Sequence, residues 1–233
     1  QPCHRGPGAP SAMCRGRAAG AVLKSCHTVG TPPRDLGARR FRDSLRGLWG
    51  TSTMARELMH PEDVHTLLMS VAGNSSFVVF PSVAGFTLDV APWIETLRML
   101  EKCGVAGVQL DFFYLREDIS LHSTQQRLRT LLLELGGSCH LDLIPKLNIE
   151  LRPGPALANI GDVGIAGWSV LDSVRTHLPS CCRLDDSTLP RFRFGSGLTS
   201  ASLFGDWELP LVCEYIYRLR MGSTLPILGG GGV

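Results

Sequence analysis

From residue 55 onward, short continuous apolar runs alternate with stretches whose apolar residues recur every three or four positions. Buried strands and amphipathic helices leave those two signatures, and their alternation with short connections points to parallel βαβ units. Residues 57–72 read as a helix with Leu58, Val64, Leu67, Leu68 and Val71 along one side, and Pro61-Glu62-Asp63 offers a second start. Residues 77–83 are a continuous apolar run, as expected of a strand buried on both faces. Residues 92–103 carry Ile94, Leu97, Leu100 and Cys103 at helical spacing, with Gly104 as a left-handed cap. A strand over 105–113, a helix over 123–135 ended by Gly136-Gly137, and strands over 141–147 and 163–171 follow. After a long polar loop come a last helix over 209–220, striped by Leu211, Val212, Tyr215, Ile216 and Leu219, and a last strand over 225–228. Five strands are legible, and the alternation alone fits an open doubly wound sheet or a (β/α)₈ barrel equally well.

Residues 1–50 are of another kind: nine Lys and Arg stand there against two acids, while the remainder holds fourteen against nineteen. The overall net charge of +2 therefore hides a basic arm in front of an acidic domain. The first acid is Asp35, and before it the arm is rich in Arg, Ala, Gly, Ser and Pro, a composition that resembles an organellar targeting sequence and points to mitochondria, with a plastid as the alternative. Either a cut lies upstream of Gln1 or the segment is retained as a tether. Such an arm has little apolar surface to offset its ordering entropy, so something else is expected to hold it in place.

Eight cysteines lie scattered with no C-x-x-C pair in a chain too long to need staples, which reads as free thiols in a reducing compartment. The neighbours Cys181 and Cys182 are read as loop residues. No apolar stretch approaches the roughly 20 residues of a bilayer span. His60 and His65, five apart, do not stack on one helical face, and neither Cys139-His140 nor Asp185-Asp186 has partners at metal-ligand spacing, so no metal is expected. At the far end, the strand-like residues 224–228 run into four glycines, Gly229 to Gly232. A strand feeding a glycine-rich turn brings backbone N–H groups against a phosphate, but the helix that would complete the anion site does not follow.

The residues of the second strand, Gly104-Val105-Ala106-Gly107-Val108-Gln109-Leu110-Asp111, resemble the "GADALELN" strand of the dihydroorotate dehydrogenase family. Other stretches match that family in order: 77–83 resembles "PVIASL", Leu143-Ile144-Pro145-Lys146-Leu147 resembles "VAVKLSP", and Gly164 to Asp172 resembles "GADGLVLFN". Residues 195–201 resemble a weakened "GGLSG", 226–233 resemble "IPIIGVGGI", and Trp93 sits where the following helix of the family carries a tryptophan. Within the family, Asp111 to Leu121 is most similar to "NIYYIPTDPDL" of the dihydroorotate dehydrogenase-like branch.

The resemblance implies an α/β fold of the TIM type left incomplete, with about five parallel strands, the third to seventh, over residues 51–233 and an extended arm over 1–50. Five strands cannot close a barrel, so two open edges are expected to invite pairing. The arm, another subunit, or the remainder of a longer chain would cover them. In the family FMN lies at the C-terminal strand ends. Lys146 matches the lysine that contacts the flavin ring, and Gly231 and Gly232 match the phosphate glycines. Asp111 and Asp172 stand where asparagines hold substrate and flavin, and a carboxylate there accepts hydrogen bonds without donating any. Lys146 is expected to pair with one of the two, turning a flavin site into a structural ion pair. Tyr114 occupies the position of the family's Cys or Ser base, where a phenol is a poor proton acceptor at neutral pH.

The resemblance thus implies a catalytically degenerate relative, vestigial in its flavin residues, that binds no cofactor. Its expected role is a structural accessory subunit of a large mitochondrial assembly, with other protein subunits as partners. The negative charge beyond the arm favours a respiratory complex over a ribosome and confines any RNA contact to the arm. The alternative is a working FMN-dependent oxidoreductase.

Overall fold

The computed structural model describes residues 20–22, 26–29, 40–43, 48–51, 58–71, 78–115, 117–147, 154, 160–161, 164–170, 174–178, 199–204 and 206–230. In chain order the strands and helices begin with β1 (Gly20–Val22), β2 (Cys26–His27), β3 (Arg40–Asp43), β4 (Leu48–Thr51), α1 (Pro61–Val71), β5 (Val78–Phe80) and β6 (Ser82–Ala84). They continue with α2 (Val90–Glu101), β7 (Gly107–Asp111), α3 (His122–Ser138), β8 (Asp142–Leu147), β9 (Trp168–Val170), β10 (Val174–Leu178) and β11 (Thr199–Phe204). A short 3₁₀ turn (Asp206–Glu208), α4 (Leu209–Arg220) and β12 (Ile227–Gly229) complete the series.

Six strands form one sheet in the order β2-β6-β7-β8-β9-β12, and each neighbouring pair is parallel. The order follows the sequence without reversal. A doubly wound sheet reverses at a switch point, whereas this one adds every new strand beside the last. Right-handed crossovers then place the connecting helices on a single face. Among the described residues the sheet is open, with β2 and β12 at its ends. A fold of five strands from residue 51 onward undercounts it, because Cys26–His27 of the basic arm pairs with β6 as a sixth strand.

Register explains the two faces. His27, Ala84, Asp111, Lys146, Ser169 and Leu228 share one row across the sheet. Side chains alternate along each strand, so this row and Ser82 and Gln109 two residues earlier occupy one face. The opposite face carries Cys26, Val83, Val108, Leu110, Phe112, Leu143, Leu147, Trp168 and Val170, which join one core with Trp93, Leu97 and Leu100 of α2, Leu128, Leu131 and Leu135 of α3, and Val212, Tyr215 and Leu219 of α4. Helices cover the apolar face, while the other face buries polar groups.

Local chemistry sets the element ends. Residues 58–60 are extended rather than helical, with Met59 bridged to Cys26, since Pro61 disfavours the helical conformation at His60 and starts α1 itself. The apolar run 77–83 is split into β5 and β6 by Pro81, which has no N–H to give a ladder. Gly104 takes φ +74 and ends α2 as the sequence indicates. Gly136 and Gly137, by contrast, lie inside α3. Gly136 is small for packing: a Cβ there would come 3.2 Å from Gly164 Cα, where the loop towards β9 crosses the helix.

The arm is stitched in by its backbone. His27 N–H donates to Met59 O (3.2 Å), Thr28 N–H to Ala84 O (3.1 Å) and Val29 N–H to the Thr96 hydroxyl of α2 (2.9 Å). β1 pairs with β5 in a two-stranded parallel sheet. β3 and β4 join β11 and β10 in an antiparallel sheet of order β10-β11-β4-β3. Part of the stretch read as a long polar loop is therefore strand, and β4 runs across the 50/51 position where the sequence changes character.

Burial also fixes how the core responds to base. Desolvation pushes the Cys26 thiol up from 9.0 to about 12, the Glu62 carboxylate adding to the rise, and burial raises Tyr215, Cys103 and Cys139 as well. The folded state holds the Cys26 proton that an unfolded chain gives up nearer pH 9. That contribution is complete below about pH 9 and is lost as pH rises towards 12, at most about 4 kcal/mol. Urea midpoints measured from pH 8 to 11 are expected to fall steeply for the natural chain and less steeply for Cys26→Ala. Equal slopes would remove Cys26 as the source.

Candidate functional site

The C-terminal ends of parallel strands are where α/β folds place ligands, so the row from His27 to Ser169 marks the candidate site. Asp111 closes β7 and Lys146 is the penultimate residue of β8, and the register sets them directly side by side. Lys146 Nζ lies 3.2 Å from Asp111 Oδ2, with only 10% and 3% of the two side chains exposed. The other carboxylate oxygen, Oδ1, accepts the Phe113 N–H at 3.0 Å. The structure pairs Lys146 with Asp111.

The energetics of this pair are two-sided. At an effective dielectric of 20, unit charges at this distance attract by about 5 kcal/mol, but withdrawing both from water cancels much of that gain. What the pair does is fix positions. It holds the ammonium along the sheet beside Asp111, and it spends one carboxylate oxygen on the lysine and one on the turn after β7.

Next to the pair, Gln109 Nε2 donates to Ser169 Oγ at 2.7 Å, both residues being buried. This bond joins β7 to β9 over the top of β8. It satisfies two polar groups that burial would otherwise penalise.

Tyr114 sits in the turn after β7, half-buried, with its ring centroid 5.6 Å from Phe113 and 6.2 Å from Phe86. It belongs to an aromatic wall beside the strand ends. Asp172, Gly231 and Gly232 lie outside the described residues. Gly229 is the last residue of β12, where a Cβ would stand 3.0 Å from Ile216 Cδ1 of α4.

A second polar constellation was not legible in the sequence. His27, buried at the end of β2, places Nε2 3.1 Å from Nδ1 of the exposed His60, with the rings near perpendicular at 4.8 Å. His27 Nδ1 lies 3.0 Å from Thr28 O. A carbonyl only accepts, so His27 Nδ1–H donates to it, and the contact between His27 Nε2 and His60 Nδ1 is a hydrogen bond from one imidazole to the other. The two residues are 33 apart in the chain, so only the pairing of the arm with β6 reveals them.

Among the described residues, no three His, Cys, Asp or Glu side chains converge as a metal-ligand set. No helix among them is long and apolar enough to cross a membrane. The described cysteines are free thiols: Cys26, Cys103 and Cys139 are buried, and Cys213 is exposed. The chain matches no protein-family model and no curated protein to a significant degree.

Proposed function

We propose that the six-strand sheet is an incomplete (β/α) barrel of the dihydroorotate dehydrogenase-like type, catalytically degenerate, acting as a structural subunit of a mitochondrial protein assembly. The observation that carries the reading is the Lys146–Asp111 pair. The cation that would face a flavin ring is neutralised by a carboxylate standing where that family has an amide. A carboxylate beside an electron-rich ring disfavours the reduced flavin anion that the lysine would otherwise stabilise.

The unreversed strand order and the polar face bridged by Gln109 and Ser169 support the barrel type, since a bond over an intervening strand is easiest where the sheet curls towards that face. The ring contacts of Tyr114 support a wall rather than a proton acceptor at the base position. The arm's composition supports mitochondria, and its backbone bonds to β6 and α2 make it an anchor. Its Lys and Arg are the part of the chain suited to RNA phosphates, while the acidic remainder favours protein neighbours such as those of a respiratory complex.

The expected result is that freshly purified, folded protein shows no flavin absorbance band and leaves the fluorescence of added FMN unquenched. Stoichiometric FMN seated against Lys146 would overturn the reading in favour of an FMN-dependent oxidoreductase.

A further inference from the structure

β12 is a terminal strand of the six-strand sheet, and the helix above it carries apolar side chains on the flank that overhangs the same end. Trp168 N–H of β9 donates to Pro226 O at 2.9 Å. Alternate residues of a strand face the same neighbour, so Pro226 and Leu228 turn their backbone groups to β9 and Ile227 and Gly229 turn theirs outward. Leu228 is 42% exposed.

In α4, Val212, Tyr215 and Leu219 face the core. Ile216 overhangs β12, as its contact distance to a Cβ on Gly229 shows. At 100° per residue, the flank beyond Ile216 is Leu209, Cys213 and Tyr217, with Arg220 between the first two. All three are exposed, Tyr217 by 63%. Strand edge and helix flank thus open at one end of both layers.

We infer that a second copy of this chain docks there, the two β12 strands pairing antiparallel and the two α4 helices packing across a two-fold axis near Cys213. The geometry is self-complementary. With Leu228 opposite its own copy, Ile227 meets Gly229 of the second chain twice, and all four outward groups find partners. A two-fold axis perpendicular to the sheet keeps helices on the same face. α4 lies over β9 and β12, and strands are about 4.8 Å apart, so the two helix axes come to about 10 Å, a normal packing distance.

The same axis fits the side chains. Antiparallel helices centred on Cys213 set Leu209 against Tyr217 and the exposed Asp206 against the exposed Arg220 of the second copy, opposite charges meeting on both sides. Gly229 lies 3.9 Å or less from Val212 and Ile216 when given a Cβ, which puts the end of β12, one residue from Leu228, level with the helix residues on either side of Cys213.

This inference stands independently of the proposed function. Sedimentation equilibrium of the full chain at micromolar concentration is expected to return the dimer mass. The double variant Leu228→Lys/Tyr217→Glu is expected to be a monomer with unchanged circular dichroism. A short bismaleimide is expected to link Cys213 to Cys213, assigned by peptide mass spectrometry, with the product lost in Cys213→Ser. A monomeric natural chain, a dimer that survives the double variant, or crosslinks running through other cysteines would each overturn the proposal. The first of these would leave the edge for a strand of a different protein.

Discussion

Replacing Asp111 by alanine lowers the free energy of unfolding by about 3–5 kcal/mol, because the buried Lys146 ammonium then loses the Asp111 carboxylate. The Phe113 N–H loses its acceptor in the same change. Asp111→Asn separates the two effects, since an amide oxygen still accepts from Phe113 while the charge is gone. It should cost less than alanine and more than the double variant Asp111→Asn/Lys146→Met, in which neither charge of the pair remains. Urea unfolding of the four proteins measures this. A loss below about 1 kcal/mol for alanine would show that the pair is solvated and does not organise the strand ends.

Removing the indole of Trp93 costs about 3–5 kcal/mol. The ring is 1% exposed, lies 5.4 Å from Phe112, and donates its N–H to Thr87 O at 3.0 Å. Its neighbour Gly85 supplies an internal control. A Cβ there would stand 2.1 Å from Trp93 Cζ2, so Gly85→Ala forces the indole off its hydrogen bond at a cost of about 1–3 kcal/mol. In the Trp93→Ala background the same methyl enters vacated space, and Gly85→Ala becomes neutral or restores stability. A double-mutant cycle reads the difference as a coupling energy. Additive costs would mean that Gly85 is glycine for a reason other than the indole.

What the sequence disclosed follows from how each element earns its stability. α4 is found at Leu209–Arg220, the range read from its apolar stripe, because its core face is set by 3.6-residue periodicity. β7 and β8 were legible as largely apolar runs because both faces of those strands are mostly buried. Gly136 and Gly137 misled, since composition does not distinguish a glycine that ends a helix from one that lets a loop touch it. β1 to β4, β10 and β11 were missed. Strands of two to five residues in polar or mixed segments, and β11 with its six, exist through their ladder partners, and pairing leaves no local period.

The site divides in the same way. That Lys146 would find an aspartate was legible from two carboxylates at strand ends. That the partner is Asp111 depends on the β7–β8 register, which aligns the two residues and is invisible in either strand alone. The His27–His60 contact needed the arm to be laid beside β6.

The four-stranded antiparallel sheet joins Thr51 to Ser202. At translation speeds of about 5–20 residues per second, β3 and β4 must wait roughly 8–30 s before β11 leaves the ribosome. Parallel strands of the other sheet can meanwhile assemble one after another as they emerge, so synthesis should pass through a half-built intermediate with an orphaned hairpin. A nascent chain in that condition is a natural client for holdase chaperones, and long-range closure of this kind makes the final step of folding the slow one.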